Sequence, residues 1–122
     1  MTQGYEQRIK ELVDNIPGAL GASLTGTDGI GITFYQSGLD LDPTLADAEF
    51  ATMLSASRRA AESLSLGSIS EQTIATEKLT VLIKMVGAEF YLGVVMQQGA
   101  GNLGMTRLLL RRASEEFNKI LY

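Results

Sequence analysis

The chain has 122 residues, which is enough for one domain and too few for two. Its content of 45% hydrophobic and 20% charged residues is typical of a globular protein and excludes an intrinsically disordered chain. A net charge of −4 disfavours nucleic-acid binding, because binding to phosphates requires clustered Lys and Arg.

Two absent residue types limit the chemistry that this protein can perform. The sequence contains no cysteine, so disulfides, thiolate metal sites and thiol nucleophiles are excluded. It also contains no histidine, which removes the commonest general base and metal ligand. We therefore expect no catalytic residue, no cofactor and no metal ion.

The N-terminal segment is polar and charged, where a secretory signal would have an apolar run. No stretch approaches the roughly 20 apolar residues of a membrane-spanning helix. These features predict a cytoplasmic protein without membrane insertion.

The first quarter of the chain predicts a helix followed by a β-hairpin. Apolar residues at spacings of three and four define one face of the helix, namely Tyr5, Ile9, Leu12, Val13 and Ile16. Pro17 and Gly18 end it. Residues 19–25 and 30–35 then predict two strands, and residues 27–29 supply the turn.

A long central helix is predicted over residues 44–64. Asp42 offers a capping oxygen, and Pro43 suits the first helical turn. One seam of the helix is almost entirely apolar and comprises Ala46, Phe50, Met53, Ser57, Ala60 and Leu64. Because this seam is shorter than a coiled coil requires and Ser57 interrupts it, we expect it to pack on the sheet.

Three further strands and a closing helix follow. The strands are predicted over residues 68–75, 79–86 and 89–97, the last two forming a second hairpin. Both faces of these last two strands carry apolar residues, so helices should cover both faces of an antiparallel sheet. The closing helix spans residues 102–121 with Asn102 as its cap, which gives the order α-β-β-α-β-β-β-α.

A glycine-rich motif precedes the closing helix. It reads G-x-G-x-x-G and comprises Gly99, Ala100, Gly101, Asn102, Leu103 and Gly104. The dinucleotide fingerprint of this form requires a parallel strand after the helix, and none is predicted here. We interpret the glycines as a tight loop and helix cap. The alternative is an anion- or nucleotide-binding enzyme built on this loop.

Four carboxylates lie near the start of the central helix, at Asp40, Asp42, Asp47 and Glu49. Hard metal ions take such oxygen ligands, but the spacing does not match a calcium-binding EF-hand loop. Acidic residues around the first turns of a helix also complement its dipole. We therefore interpret the cluster as structural.

The closing segment NLGMTRLLLRRASEEF and the hairpin segment DGIGITFY resemble the roadblock family, which is related to the dynein light chain of that name. The residues that look like the bacterial signature of the family are Asn102, Leu103, Gly104, Arg107, Leu108, Arg111 and Ala113. The resemblance implies a single α+β domain over residues 1–122. Its five-stranded antiparallel sheet would carry the central helix on one face and the terminal helices on the other.

The resemblance also implies a homodimer in which the third strands adjoin and the two central helices pack side by side. On the central helix, the candidate interface residues lie away from the predicted core seam and comprise Ala48, Ala51, Thr52, Ser55 and Arg59. Ile69 and Thr73 are the candidates on strand 68–75, which would otherwise be an exposed edge.

Members of this family act as scaffolds or regulators of Ras-like small GTPases, and some bacterial members stimulate GTP hydrolysis. The resemblance therefore implies a GTPase partner, with Arg58, Arg59 and Glu62 as candidate contacts. An alternative on the same fold is a cargo or motor adaptor dimer that binds a peptide of another protein.

Overall fold

A computed structural model describes residues 2–99 and 101–122. The elements in chain order are α1 (Thr2–Asn15), β1 (Ala19–Gly26), β2 (Gly31–Gln36), α2 (Pro43–Ser63), β3 (Glu71–Ala75), β4 (Leu79–Val86), β5 (Phe90–Gln97) and α3 (Leu103–Leu121). This order confirms the one predicted from the sequence. None of the helices in the described ranges is long and apolar enough to cross a membrane.

The five strands form one antiparallel sheet in the order β2-β1-β5-β4-β3. β2 and β3 are therefore its two edges. β3 begins at Glu71 and is shorter than the predicted strand 68–75, and Ser65 and Gly67 between α2 and β3 hold left-handed backbone conformations. The chain first bonds to β4 where the Met85 amide donates to the Ser70 carbonyl oxygen at 2.9 Å.

Helices cover both faces of the sheet, as the apolar strands predict. α1 and α3 lie on one face, where the buried core includes Ile9, Leu24, Leu92, Leu110 and Phe117. α2 lies on the other face, above a second core that includes Leu54, Ile83, Tyr91 and Val95.

Both predicted helix caps are confirmed. Asp42 Oδ1 accepts hydrogen bonds from the Thr44 and Leu45 amides, at 3.0 and 3.3 Å. Asn102 Oδ1 accepts from the Met105 amide at 3.1 Å. These bonds satisfy amide groups that the first turn of a helix leaves without backbone partners.

The side of α2 that is most deeply buried on the sheet differs from the predicted seam, although Phe50 of the seam does pack against the core. The buried residues of α2 are Asp47, Ala51, Leu54 and Ala61, whereas Leu64 of the predicted seam is 68% exposed. The two stripes differ by one residue in register, which is a rotation of about 100° around the helix axis. The difference arises because Asp47, a charged residue, occupies a core position that an apolar pattern assigns to solvent.

Candidate protein-interaction surface

Asp47 fixes the rotation of α2 on the sheet. Its Oδ1 accepts a hydrogen bond from Thr25 Oγ1 at 2.9 Å, and its backbone carbonyl oxygen accepts one from the Tyr91 hydroxyl at 3.0 Å. Burial raises the pKa of the Asp47 carboxyl above its ordinary value. Burial likewise raises the pKa of the Tyr91 hydroxyl to about 12, so this group stays a hydrogen-bond donor. α2 is thus tied to β1 and β5.

A glycine makes room for the Asp47 carboxylate. A β-carbon at Gly31 would overlap Asp47 Oδ2, so only glycine leaves this space free. The sequence pattern alone groups Asp47 with the acidic residues at the start of the helix. The feature of the sequence that indicates this contact is the pair of glycines, Gly29 and Gly31, which lie beside α2 in the fold.

The rotation leaves a partly uncovered apolar stripe on α2. We define the α2 seam as the set Ala46, Phe50, Met53, Ser57, Ala60 and Leu64. Its first four residues are half-buried and its last two are exposed. Ala46 and Phe50, at the start of the seam, line a pocket with residues of β1, β2 and the loop before α2. Further along, Ser57 Oγ donates a hydrogen bond to Gln72 Oε1 at 2.9 Å, so this part of the seam lies on the side of α2 toward β3. The C-terminal part of the seam and the β3 edge are therefore neighbours.

The interface residues predicted on α2 do not lie on this seam. Ala51 belongs to the core of the single chain and is 7% exposed, so its assignment to an intermolecular contact is corrected. Ala48, Thr52, Ser55 and Arg59 are exposed on the opposite side, which we call the α2 flank. A β-carbon at Gly29 would lie 3.6 Å from Ala48 Cα, so the flank begins beside the β1–β2 turn.

The other two predicted interface residues lie at the β3 edge. Ile69 precedes the strand and is half-buried against the α2-side core. Thr73 is exposed on the opposite face, where its Oγ1 lies 3.4 Å from Arg107 Nη2. Arg107 Nε also lies 3.7 Å from Glu71 Oε2, so α3 braces the edge strand. Two exposed polar contacts thus connect α3 to the open edge.

The structure brings together two of the three predicted partner-binding residues. Arg58 and Glu62 line a groove of about 660 Å³ between the end of α2 and the β4–β5 turn. Arg58 Nη2 donates a hydrogen bond to the Ala88 carbonyl oxygen at 2.7 Å. Arg59 is exposed and does not line this groove. The groove is therefore lined by one guanidinium, which is hydrogen-bonded to Ala88, and by one carboxylate.

Comparisons with known proteins identify the fold. No family model matches the chain, and no curated protein matches it. Among solved structures, MglB of Myxococcus xanthus superposes with a TM-score of 0.90 at 21% identity, covering 98% of this chain and 89% of that chain. A roadblock/LC7 domain from Streptomyces avermitilis superposes with a TM-score of 0.86 at 18% identity, covering 95% and 96%. The chain has the roadblock fold.

A third similar structure is described as MglB with a tetrameric arrangement. It superposes with a TM-score of 0.88 at 19% identity, covering 98% of this chain and 88% of that chain. The fold that the resemblance of the closing segment implies is therefore confirmed, because solved roadblock and MglB proteins share the complete architecture.

Within the roadblock fold, the closing segment has identifiable structural roles. Asn102 caps α3 and Arg107 braces β3, as described above. Ser114 is buried, and its Oγ donates a hydrogen bond to the Met85 carbonyl oxygen at 2.7 Å. These contacts attach α3 to the half of the sheet that ends in the β3 edge.

The glycine-rich loop lacks the setting of a dinucleotide site. Ala100 lies outside the described residues, while Gly99 and Gly101 have positive φ angles of 76° and 75°. A β-carbon at Gly101 would approach the Pro17 carbonyl oxygen, which explains the glycine there. Every strand pair in the described part of the chain is antiparallel, so the βαβ unit of the fingerprint is not formed.

The four carboxylates near the start of α2 have separate surroundings. Asp42 caps the helix, Asp47 is buried, and Asp40 and Glu49 are exposed. No three potential metal ligands converge anywhere in residues 2–99 and 101–122. Asp42 and Asp47 have structural roles: the Asp42 carboxylate accepts hydrogen bonds from amides at the start of α2, and the Asp47 carboxylate accepts one from Thr25.

Proposed function

We propose that this protein is a non-catalytic, homodimeric scaffold or regulator that binds a Ras-like small GTPase in the cytoplasm. The observation that carries the proposal is the roadblock fold with two adjacent uncovered features, the α2 seam and the β3 edge. The resemblance of the closing segment to bacterial roadblock proteins supports a GTPase as the partner.

The dimer would cover both features at once. Two copies related by a twofold axis would pair their β3 edges and pack their α2 seams against each other. Unpaired edge strands attract other chains, and natural proteins normally cover or protect them. Ala60 and Ser57 are small enough to permit close approach of two helices, and Leu64 is a large apolar side chain exposed to water. Ile69 and Thr73 remain candidate contacts at the paired edges.

In this dimer, α2 contacts its partner through the seam, whereas the sequence prediction placed the contact on the flank. The flank residues Thr52, Ser55 and Arg59 are more polar than the seam, and they lie on the side of α2 away from β3. A contact through the flank would leave Leu64 in water and would not adjoin the β3 edge. The seam is therefore the stronger candidate for the dimer interface.

The GTPase would dock near the C-terminal end of α2. Arg58, Arg59 and Glu62 are the candidate contacts. Because the Arg58 guanidinium already donates to the Ala88 carbonyl oxygen, its use as an arginine finger would require that this bond break. Stimulation of GTP hydrolysis would instead work by ordering the catalytic residues of the GTPase itself.

Capture from native cell lysate tests the proposal. The tagged chain is used as bait in lysate supplemented with either a non-hydrolysable GTP analogue or GDP. We expect recovery of a protein with a G-x-x-x-x-G-K-[ST] loop in the GTP-analogue sample only. Addition of the chain to the purified partner then shows whether the rate of GTP hydrolysis rises. Equal recovery of a partner in both nucleotide states would contradict the regulator and favour the adaptor alternative.

A further inference from the structure

The second edge of the sheet, β2, has an exposed apolar surface of its own. Phe34 on this strand is 48% exposed, and Ile30 just before it is 70% exposed. Both residues line an open groove of about 460 Å³ between β2 and the first turn of α2, together with Pro43. The groove lies at the opposite side of the sheet from β3.

The backbone of β2 is suited to pair with another strand. The Ser37 amide donates to the Leu20 carbonyl oxygen at 2.8 Å, which fixes the hydrogen-bonded pairs between β1 and β2. In an antiparallel ladder such pairs alternate, so the N–H and C=O groups of Phe34 and Gln36 point away from β1. The register shifts between Leu24 and Thr25, which limits the regular edge to the last residues of β2.

The charges around this edge are mainly acidic. Lys10 of α1 also lies against β2, with its Nζ 5.7 Å from the centroid of the Tyr35 ring, and it forms a salt bridge with Asp14 at 3.0 Å. Residues 11–57 include no Lys or Arg and contain seven acidic residues, namely Glu11, Asp14, Asp28, Asp40, Asp42, Asp47 and Glu49. Asp28 is exposed before β2, and Asp40 and Asp42 are exposed after it. The ten Lys and Arg residues of the chain all lie outside this segment. A chain that docks along β2 therefore meets carboxylates at both ends.

We propose that the β2 edge binds an extended segment of another protein in which apolar residues alternate with Lys or Arg. The segment adds to the sheet as a sixth strand and bonds to the outward backbone groups of Phe34 and Gln36. Its apolar side chains on the α2 face contact Phe34 and Ile30. Its basic side chains lie near Asp28, Asp40 and Asp42.

A second copy of this chain is a poor occupant of the same edge. Pairing of two β2 strands would place like-charged carboxylates against each other, which disfavours the contact. The irregularity in β2 also interrupts a long, flat pairing surface. Charge complementarity therefore favours a basic partner.

The test uses a synthetic eight-residue peptide that alternates Val or Ile with Lys or Arg and has blocked ends. Amide chemical shifts of the isotope-labelled protein are followed by NMR during titration with this peptide. One control peptide replaces every basic residue with Glu, and a second places Pro at alternate positions so that it cannot form a strand.

Three variants of the protein separate the contributions. Phe34→Pro removes an outward amide without breaking the ladder to β1, and Phe34→Lys keeps the backbone but adds a positive charge to this edge. Ile120→Ala changes an apolar residue on α3 that is similarly exposed, at 44%, and serves as the control. If Phe34→Pro does not fold, Phe34→Lys and the shift mapping carry the test.

We expect the largest shift changes in residues 30–37. Phe34→Lys and Phe34→Pro should each weaken binding by about tenfold or more, whereas Ile120→Ala should leave it unchanged. Binding should also weaken with added salt. The proposal is overturned if the shifts map elsewhere, if either control peptide binds equally well, or if Phe34→Lys binds normally. The proposed dimer uses β3, at the opposite edge of the sheet, so the result of the peptide titration does not depend on whether the dimer forms.

Discussion

The Arg58 guanidinium on α2 donates a hydrogen bond to the Ala88 carbonyl oxygen, in the turn between β4 and β5, at 2.7 Å. The same turn is held from the other face of the sheet by the residue that follows α3. The Tyr122 hydroxyl donates to the Val86 carbonyl oxygen at 3.1 Å and accepts from the Glu89 amide at 3.0 Å. One turn thus links α2 to the end of α3.

Replacement of Arg58 by alanine should therefore destabilise the protein. Loss of a hydrogen bond from a charged donor, together with the packing of its aliphatic stem, predicts a loss of about 1 kcal/mol from the free energy of unfolding. Arg59→Ala is the matched control, because Arg59 is exposed on the same helix, and its effect should stay within about 0.5 kcal/mol. Urea denaturation of both variants measures the difference. Equal effects would show that the Arg58 contact with Ala88 is unimportant for stability.

The buried Asp47 carboxyl predicts a pH dependence of stability. Its pKa in the folded chain is raised above the ordinary value of 3.8. The folded protein therefore binds this proton more tightly than the unfolded chain, and the corresponding stability is present at low pH. It is lost as the pH rises through the folded pKa.

Asp47→Asn isolates this effect, because the amide oxygen can still accept the hydrogen bond from Thr25. The free energy of unfolding of the wild type, relative to Asp47→Asn, should fall as the pH rises through the raised pKa of the Asp47 carboxyl. Urea denaturation of both proteins at a series of pH values measures it. A relative stability that rises with pH would show that the carboxyl is stabilised in its ionised form.

Gly31 should not tolerate a side chain. A β-carbon there would overlap the Asp47 carboxylate, so Gly31→Ala should lower the free energy of unfolding by about 1–3 kcal/mol. Gly4→Ala is the matched control, because a β-carbon at Gly4 meets no atom within 4 Å and alanine favours the helix. The control should be neutral or stabilising by up to about 1 kcal/mol. A neutral Gly31→Ala in thermal denaturation would contradict the close packing of α2 on β2.

Most elements were predictable because their signals are local. Alternating apolar residues, turn residues and the Asp42 and Asn102 caps each depend on neighbours a few positions away. The bounds of β4 agree with the sequence prediction, and those of β1, β2, α2, β5 and α3 differ by at most one residue. Apolar residues on both faces of β4 and β5 correctly indicated helices on each side of the sheet.

The rotation of α2 was not predictable in this way, because it depends on contacts distant in sequence. Asp47 is bonded to Thr25, which lies 22 positions earlier, and to Tyr91, which lies 44 positions later. An apolar pattern within the helix contains neither contact. The same error placed Ala51 at an interface and the apolar seam in the core. The surface proposed for dimerisation is therefore the one that the apolar pattern of the helix assigns to the interior.

The most direct test of the account is the oligomeric state of two matched variants, Ala60→Glu on the α2 seam and Ser55→Glu on the α2 flank. Both positions are exposed in the single chain, so neither substitution should unfold it. Analytical ultracentrifugation over a range of concentrations should show a wild-type dimer. Ala60→Glu should raise its dissociation constant by at least about tenfold, because the new carboxylate would be buried without a partner. Ser55→Glu should remain dimeric. A wild-type chain that stays monomeric at high concentration, or dissociation by Ser55→Glu alone, would contradict the account.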